Sequence, residues 1–233
     1  MPKSNLRAKS ISAGVTPVPP KPSAQHLLMD AGEKLFGHCG FDGVSLREIA
    51  LAAGQSNNAA VHYHFTSKLG LIQAILDSRI AQVEIMRHNF FERSDPQVKI
   101  DTEELLKIIW FPIMEIRDEL GHYTFCRFLL QHLLHPDTGS HPVAELLESR
   151  KRRTPALKVD YPYSVKALEL LQKLHSNIPE ATFNQRLLAL TMMFFASVVR
   201  YENAHLKKAA AALPAFNARP ILDIALTVLS TPT

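Results

Sequence analysis

The sequence predicts an all-α protein, and three features of its 233 residues support this prediction. Apolar residues recur at intervals of three and four along most of the chain, which is the spacing of one helix face. Glycine is scarce, with nine residues and none after Gly139, and 180–213 contains no proline. An all-β chain would need many turns rich in these residues. The 46% of hydrophobic residues against 21% charged is the balance of a globular chain with a substantial core.

The first predicted helix follows Ser23, which is a candidate N-cap. Its apolar stripe comprises Leu27, Leu28, Ala31, Leu35 and Phe36. We expect Gly37 and Gly40 to end this helix, because glycine commonly terminates helices. The next residues, 41–43, read Phe-Asp-Gly and predict a turn.

The second predicted helix begins with the pattern Ser45-Leu46-Arg47-Glu48, which is a capping box. In this motif the serine side chain bonds the amide three residues later, and the glutamate bonds the serine amide in return. Ile49 and Ala53 supply a short apolar face, and Gly54 is expected to stop the helix.

A third, short helix is predicted from about 57 to 64, with Val61 and Phe65 facing inward. Thr66 or Ser67 is expected to start a long fourth helix that reaches Phe91. The stripe of the fourth helix is Leu69, Ile72, Leu76, Ile80 and Val83.

The rest of the chain is predicted to be helical as well, after a break at Asp95-Pro96. Helical patterns cover 101–118, 120–134, 141–152, 162–176, 180–208 and 217–230. Prolines stand at most of the boundaries, whereas Pro112 lies inside a helical pattern and is expected to kink it.

Two short helices joined through Gly54, with a supporting helix before them, are typical of a helix-turn-helix. The second of these helices opens with the small and polar run Gln55-Ser56-Asn57-Asn58-Ala59-Ala60. Asparagine and glutamine can bond adenine edges in pairs, and alanine can contact a thymine methyl. This pattern therefore predicts a helix that enters the major groove of DNA.

Residues 25–72, about a fifth of the chain, resemble the TetR family of bacterial transcriptional regulators. The matching sequence motifs are Asp30-Ala31, Leu35-Phe36, Gly40-Phe41, Ser45-Leu46-Arg47-Glu48-Ile49-Ala50, Ala53-Gly54, Tyr63-His64-Phe65 and Ser67-Lys68. Two departures are visible. The stretch between Gly54 and Tyr63 is one residue longer than the usual pattern, and Leu69 replaces a frequent Glu.

The resemblance implies a homodimer that binds a palindromic operator in double-stranded DNA. It also implies a larger C-terminal domain with a small-molecule pocket, whose occupancy changes the spacing of the two recognition helices. The implied organisation is a basic Pro-rich arm at 1–22, a helix-turn-helix domain at 23–72, and an effector-binding and dimerisation domain at 73–233. Release of a repressor from its operator by the ligand is the default expectation.

The resemblance places eleven residues at DNA: Ser45, Arg47, Gln55, Ser56, Asn57, Asn58, Ala59, His62, Tyr63, His64 and Lys68. Purely structural explanations compete at some of these positions. Ser45 and Asn57 can act as helix caps alone, and Tyr63 can be a packing residue. The alternative to a regulator is a helical sensor or interaction protein without a specific operator, which the extra residue before Tyr63 favours.

The basic charge is concentrated at the amino terminus. The formal net charge is +4, and residues 1–22 hold four basic residues, no acid and five of the 15 prolines. Such a segment is predicted to be disordered, either as a solvated tail or as an arm that contacts phosphates. Residues 23–72 carry three basic and four acidic residues, so DNA affinity there cannot come from bulk charge.

The helix at 180–208 is apolar on every side in its centre, so it must be covered on every side. A partner subunit on one face and a pocket or core on the other would cover it, with the last helix beside it. Burial in a large helical core is the alternative. The residues expected at the dimer interface are Phe183, Leu187, Phe194, Val198, Ile221, Ile224 and Val228.

Aromatic and sulfur-containing residues near Pro112 are the candidates for an effector pocket. The expected ligand-binding residues are Trp110, Phe111, Met114, Tyr123, Cys126, His132, Tyr163, Met192 and Phe195, with Phe125, Phe128 and His122 as further candidates. Core packing is the competing explanation for each of them. The expected effector is largely apolar or aromatic.

No enzyme motif is found: there is no phosphate-binding glycine loop, no Gly-x-Ser-x-Gly and no His-Glu-x-x-His. His132, His135, Asp137 and His141 could bind a metal, but solvated loop histidines are the commoner explanation, so no cofactor or metal is expected. Two cysteines, Cys39 and Cys126, fit a cytoplasmic protein. The longest apolar run, 187–199, is shorter than the about 20 residues of a membrane span.

Overall fold

The computed structural model describes residues 22–56, 59–94, 99–135, 160–206 and 215–231, and these ranges contain helices and no strands. The helices are α1 (Ala24–Cys39), α2 (Leu46–Ala52), α3 (Ala59–Phe65), α4 (Lys68–Arg93), α5 (Thr102–Glu115), α6 (Thr124–Leu134), α7 (Pro162–Leu174), α8 (Glu180–Leu206) and α9 (Arg219–Ser230). The predicted all-α class is confirmed. The arm, the break at Asp95-Pro96 and the predicted helix at 141–152 lie outside the described residues.

The amino-terminal helices begin where the sequence predicts. Ser23 and Ser67 cap α1 and α4, and the Ser45–Glu48 capping box is present at α2 with both reciprocal bonds. The acceptance of two bonds from Ser45 lowers the pKa of the Glu48 carboxyl. These side chains bond amides that the first helical turn leaves without a partner, which fixes the start of each helix.

Gly37 does not end α1, contrary to expectation, because the helix continues to Cys39 and is capped by Gly40. A Cβ at Gly37 would lie 3.1 Å from the Arg127 Cγ and 3.3 Å from the backbone nitrogen of Phe128. Gly37 therefore serves the close approach of α1 to α6 rather than a helix end.

Helix α4 connects the two parts of the molecule. Its first turns pack on α1 and α3, and its later turns pack on α5 and α7. The expected boundary between residues 72 and 73 falls inside this continuous helix. Most of the predicted stripe is buried, but Leu69 is 52% exposed and does not belong to it.

The carboxyl-terminal helices surround α5, which packs on α4, α6, α7, α8 and α9. Helix α5 ends at Glu115 and α6 starts at Thr124, so both are shorter than the expected 101–118 and 120–134. Pro112 lies in the last turn of α5.

Among the described helices, α8 alone meets the length and composition criteria for crossing a membrane, with 27 residues. Core helices of water-soluble proteins also meet these criteria. Phe183, Phe194 and Phe195 of α8 are fully buried inside this subunit, which is the pattern of a core helix.

Candidate nucleic-acid interface and effector cavity

The turn between α2 and α3 is built on Gly54, which adopts a φ of +72°. The Gln55 amide donates to the Ala50 carbonyl at 2.8 Å, and the Gly54 amide donates to the Leu51 carbonyl at 3.0 Å. This pair of bonds is the Schellman arrangement, which closes a helix through a residue with positive φ. It reverses the chain tightly enough for a helix-turn-helix.

Helix α3 has one buried and one exposed face. Val61 and Phe65 are buried in the core, as predicted. Ala59, His62 and Tyr63 point outward, and Tyr63 is 85% exposed. The exposed face is therefore available to another molecule.

The turn between α3 and α4 fixes the end of the recognition helix. Thr66 adopts a φ of +66°, which a β-branched residue rarely does. The Ser67 amide donates to the Phe65 carbonyl at 2.7 Å, and the Lys68 ammonium donates to the Phe41 carbonyl at 2.9 Å. Lys68 thereby ties the start of α4 to the turn after α1.

The residues expected at DNA divide by exposure. Exposed are Ser45, Arg47, Ser56, Ala59, His62 and Tyr63; half-buried are Gln55, His64 and Lys68; Asn57 and Asn58 lie outside the described residues. Lys68 has an internal hydrogen-bond acceptor, and His62 contacts the Thr66 carbonyl at 3.2 Å through Nδ1. A role at DNA for any of the eleven stays a prediction.

The amino terminus of α6 is held from both parts of the molecule by buried carboxylates. Glu33 of α1 accepts from the Thr124 hydroxyl at 2.5 Å and from the Arg79 Nε of α4 at 2.6 Å. Glu202 of α8 accepts from the Tyr123 amide at 2.7 Å and pairs with Arg127. Any displacement of α6 would therefore strain its bonds to both α1 and α8.

The carboxyl-terminal half of α6 packs on the turn that follows α1. His132 is 2% exposed; its ring lies parallel to Phe128 and meets Phe41 edge-on at 6.0 Å between centroids. Burial lowers the pKa of His132 from 6.5 to about 4. His132 is thus a neutral packing residue between the helix-turn-helix and α6, and its expected role in an effector pocket stays a prediction.

We expect His132 to make stability depend on pH. An imidazole whose folded pKa is depressed binds a proton more readily in the unfolded chain, so its contribution is complete above about pH 7 and is lost as pH falls through 6.5 towards 4. The loss amounts to at most about 3 kcal/mol. Urea unfolding of wild type and His132→Phe between about pH 7.5 and pH 5 tests this, because the variant should lose less stability over that interval. Equal losses would contradict the assignment.

A small cavity of about 60 Å³ lies between α4, α5, α6, α7 and α8 and opens to solvent. Its lining consists of Ile80, Val83, Arg87, Ile109, Trp110, Ile113, Phe125, Leu129, Ser164, Leu168, Leu187 and Thr191. Two of these walls, α4 and α6, also pack on α1 of the helix-turn-helix. The cavity therefore touches both helices through which the two parts of the molecule meet.

Of the nine residues expected to bind a ligand, Trp110 lines this cavity, and so does the further candidate Phe125. The other eight, Phe111, Met114, Tyr123, Cys126, His132, Tyr163, Met192 and Phe195, do not line it. Cys126 and Phe195 are buried in the core away from this cavity, and a ligand contact for them stays a prediction. Tyr163 instead contacts His88 and Phe91.

Sequence reasoning missed the polar group of the cavity, which is Arg87 with Glu84 and Ser164. The Arg87 guanidinium is buried and contacts Glu84 at 3.3 Å. Burial lowers the pKa of Arg87 to about 10, against the opposing effect of Glu84. The signal was present in the sequence, because Arg87 lies four residues after Val83 and continues the apolar stripe of α4.

Four of the seven residues expected at a dimer interface lie in the subunit's own core. Phe183, Leu187, Phe194 and Val198 are all fully buried inside one chain, so a second copy cannot reach them. Of the other three, Ile224 is 45% exposed, and Ile221 and Val228 are half-buried. The expectation is therefore wrong for the four α8 residues and stays a prediction for the three on α9.

No group of three or more metal-binding side chains is found within the described ranges. His135 contacts Asp42 at 3.0 Å, whereas Asp137 and His141 of the suggested cluster lie outside those ranges. The hydrogen bond from His135 lowers the pKa of the Asp42 carboxyl.

Comparison with solved structures finds helical proteins of similar length. The multidrug binding protein EbrR, solved with imidazole, is 17% identical over 91% of this chain and 98% of its own, with a TM-score of 0.42. The TetR family regulator PfmR from Thermus thermophilus is 15% identical over 87% and 96%, with a TM-score of 0.38. The fatty acid degradation regulator FadR from Bacillus halodurans is 13% identical over 91% and 97%, with a TM-score of 0.34.

A search of curated protein sequences finds no match. The family model of bacterial regulatory proteins, tetR family, matches residues 28–75. This segment runs from α1 to the first turns of α4 and contains the whole helix-turn-helix. The chain therefore carries an amino-terminal domain that matches the tetR family of bacterial regulatory proteins.

Proposed function

We propose that this protein is a ligand-responsive, homodimeric transcriptional regulator that binds a palindromic operator. Its default action is repression, released by a small and largely apolar molecule. The observation that carries the proposal is the position of the cavity, whose walls α4 and α6 both pack on the helix-turn-helix. The proposal places the protein in the bacterial cytoplasm, where the DNA is, and gives it no enzymatic step.

The exposed face of α3 supports groove binding by Ala59, His62 and Tyr63. Ser45 and Arg47 are exposed at the start of α2, where a hydroxyl, a guanidinium and the helix dipole suit a phosphate. Lys68 already bonds the Phe41 carbonyl through its ammonium, which has two further donors to offer a phosphate.

Dimerisation is assigned to the outward faces of α8 and α9. Helix α9 presents Ile221, Ile224 and Val228, and α8 beside it keeps Leu188 and Met192 half-buried. Two copies of this pair would form a four-helix interface around a twofold axis. The two recognition helices of the dimer would have to lie about one DNA turn apart, roughly 34–36 Å, to enter successive major grooves.

A ligand would act by changing that separation. It can do so only if it binds one dimer shape better than the other. A molecule that enlarges the cavity presses on Ile80 and Val83 of α4 and on Phe125 and Leu129 of α6. Movement of α6 reaches α1 through the bond between Thr124 and Glu33.

Selection of binding sites from random DNA duplexes tests the proposal, and we expect recovery of an inverted repeat. Tyr63→Ala should abolish enrichment, whereas Leu120→Ala, at a site 75% exposed in the connection between α5 and α6, should not. If a folded dimer enriches no sequence, the result would instead support the alternative, a helical sensor without a specific operator. The longer stretch before Tyr63 favours this alternative.

Removal of residues 1–22 is expected to weaken DNA binding and reduce its salt dependence. The segment carries four positive charges, whereas residues 23–72 sum to −1. Each phosphate contact contributes about 0.9 to the slope of log affinity against log salt. The two arms of a dimer carry eight positive charges, so the slope should fall by up to about 7. A full-length variant with Lys3, Arg7, Lys9 and Lys21 replaced by glutamine separates charge from length. Unchanged affinity and slope in both proteins would refute a role in binding phosphates.

A further inference from the structure

We infer that the effector of this cavity is an uncharged molecule, and that the cavity rejects anions and cations of the same shape. The one ionic group among the described lining residues, Arg87, is already paired with a carboxylate of the protein, and the protein bonds four of its five N–H donors. This inference rests on the proposed function, which assigns the cavity to the effector.

The wall is almost wholly hydrocarbon. Nine of the twelve lining residues are apolar: Ile80, Val83, Ile109, Trp110, Ile113, Phe125, Leu129, Leu168 and Leu187. A ligand here gains affinity by removing apolar surface from water, and any polar group it carries needs a partner among the remaining three residues.

Arg87 is the first of those three, and four of its five N–H donors are engaged. Its Nε donates to the Ile108 carbonyl at 3.0 Å, and its Nη2 donates to the Ile109 carbonyl at 2.6 Å. Its Nη1 donates to Glu84 at 3.3 Å and to the Ser164 hydroxyl at 2.5 Å. The side chain is 7% exposed. An anion entering the cavity would meet a guanidinium whose charge Glu84 already balances.

The carboxylate of Glu84, which neutralises Arg87, is equally occupied. It accepts from the Tyr163 amide at 2.9 Å, from the Ser164 amide at 3.1 Å and from the Ser164 hydroxyl. These amides belong to the first turn of α7, where the helix itself offers them no acceptor. Glu84 of the neighbouring helix α4 supplies that acceptor. A cation attracted to Glu84 would have to compete with Arg87 and uncover that turn.

Thr191 and Ser164, the other two polar lining residues, also bond within the protein. The Thr191 hydroxyl accepts from the Trp110 indole at 3.1 Å and donates to the Leu187 carbonyl at 2.8 Å. Ser164 bridges Glu84 and Arg87. The hydroxyl oxygens leave room for a weak additional bond to a ligand donor, which suits a neutral amine or hydroxyl and provides no countercharge.

A charged ligand would therefore leave water without gaining a partner of opposite charge. Transfer of an ion into an apolar site without such a partner is strongly unfavourable, and breaking a buried pair leaves its other half uncompensated. Neutral molecules do not incur this penalty, so among ligands of one shape the uncharged one should bind best.

Two fluorescent probes with the same ring system test this. N-phenyl-1-naphthylamine is uncharged at neutral pH, and 1-anilinonaphthalene-8-sulfonate is the same molecule with one sulfonate. On the full-length protein we expect the neutral probe to bind with a Kd at least about tenfold lower. A lipophilic cation, tetraphenylphosphonium, should fail to displace the neutral probe at comparable concentration.

Binding must be assigned to the cavity by a matched pair of variants. Val83→Phe adds a ring to the cavity wall and should weaken the neutral probe by about tenfold or more. Ile85→Phe, on the same helix at a position 62% exposed, should leave it unchanged. Preferential binding of the sulfonate, displacement by the cation, or indifference of the neutral probe to Val83→Phe would each overturn the inference. These measurements need no DNA. Their result can therefore be distinguished from a failure of the protein to bind an operator.

Discussion

Replacement of Arg87 by methionine is expected to lower the free energy of unfolding by about 3–5 kcal/mol. Methionine fills similar space but removes the cation opposite Glu84, whose side chain is 8% exposed. It also removes the donors that satisfy the Ile108 and Ile109 carbonyls. For a chain of this size the loss corresponds to a fall in Tm of about 6–20 °C, measurable by thermal or urea unfolding.

Pro112 explains why α5 needs Arg87. A helical residue normally donates its amide to the carbonyl four residues earlier, and proline has no amide hydrogen to donate. The Ile108 carbonyl is therefore without its usual partner, and Arg87 donates to it at 3.0 Å from the neighbouring α4. The buried arginine completes the hydrogen bonding of a helix that proline interrupts.

A double-mutant cycle separates this bond from the ion pair. Pro112→Ala restores an amide opposite Ile108, so it should be more stabilising in the Arg87→Met background than in wild type, with a coupling of about 0.5–3 kcal/mol. Arg186→Met is the control, because Arg186 also donates to backbone carbonyls, those of Val228 and Thr231, but at a more exposed site. Two results would contradict this account. One is an Arg87→Met variant that loses no more unfolding free energy than Arg186→Met. The other is a double variant in which the effects of Arg87→Met and Pro112→Ala simply add.

Local rules predicted the helix-turn-helix well because its signals are local. The Ser45–Glu48 capping box, the Gly54 turn and the Ser67 cap each depend on residues within five positions of one another. Burial of Val61 and Phe65 followed from spacing alone. The family resemblance rested on the same segment, and the family match at 28–75 confirms it.

The cavity and the connections between helices could not be predicted, since they join residues far apart in the chain. Glu33 meets Thr124 across 91 positions, and Glu84 meets Ser164 across 80. Spacing shows that a helix face is apolar, but not whether core, ligand or partner covers it. This ambiguity placed Phe183, Leu187 and Phe194 at an interface, whereas α5, α6 and α9 pack on α8 within one chain.

Replacement of Gly70 by alanine is expected to displace the recognition helix and reduce operator affinity by about ten- to a hundredfold. A Cβ at Gly70 would lie 2.0 Å from the Phe65 carbonyl oxygen and 3.2 Å from its carbon. Both atoms are backbone at the last residue of α3, so no side chain can rotate to relieve the contact. The end of α3 must move away from the start of α4.

The turn between α3 and α4 raises the energetic cost of displacing the end of α3 and limits the direction of that displacement. Thr66 already adopts a positive φ, and Ser67 and Lys68 each donate a bond across the junction, so the backbone has little freedom to adjust. Overpacking of this kind costs about 1–3 kcal/mol. If α4 stays anchored by Leu71, Ile72 and Ile75 in the core, the displacement falls on α3 and therefore on the face that carries His62 and Tyr63.

Leu69→Ala supplies the matched control, because its side chain is 52% exposed one residue away and its loss should change stability by less than about 0.5 kcal/mol. Affinity is measured on the inverted repeat recovered by selection, and urea unfolding on the same samples reports the cost of the contact. If Gly70→Ala binds that repeat within twofold of wild type at unchanged stability, the tight α3–α4 junction does not set the position of the recognition helix. If stability falls while affinity holds, the strain is absorbed within α4, and the junction serves folding rather than DNA recognition.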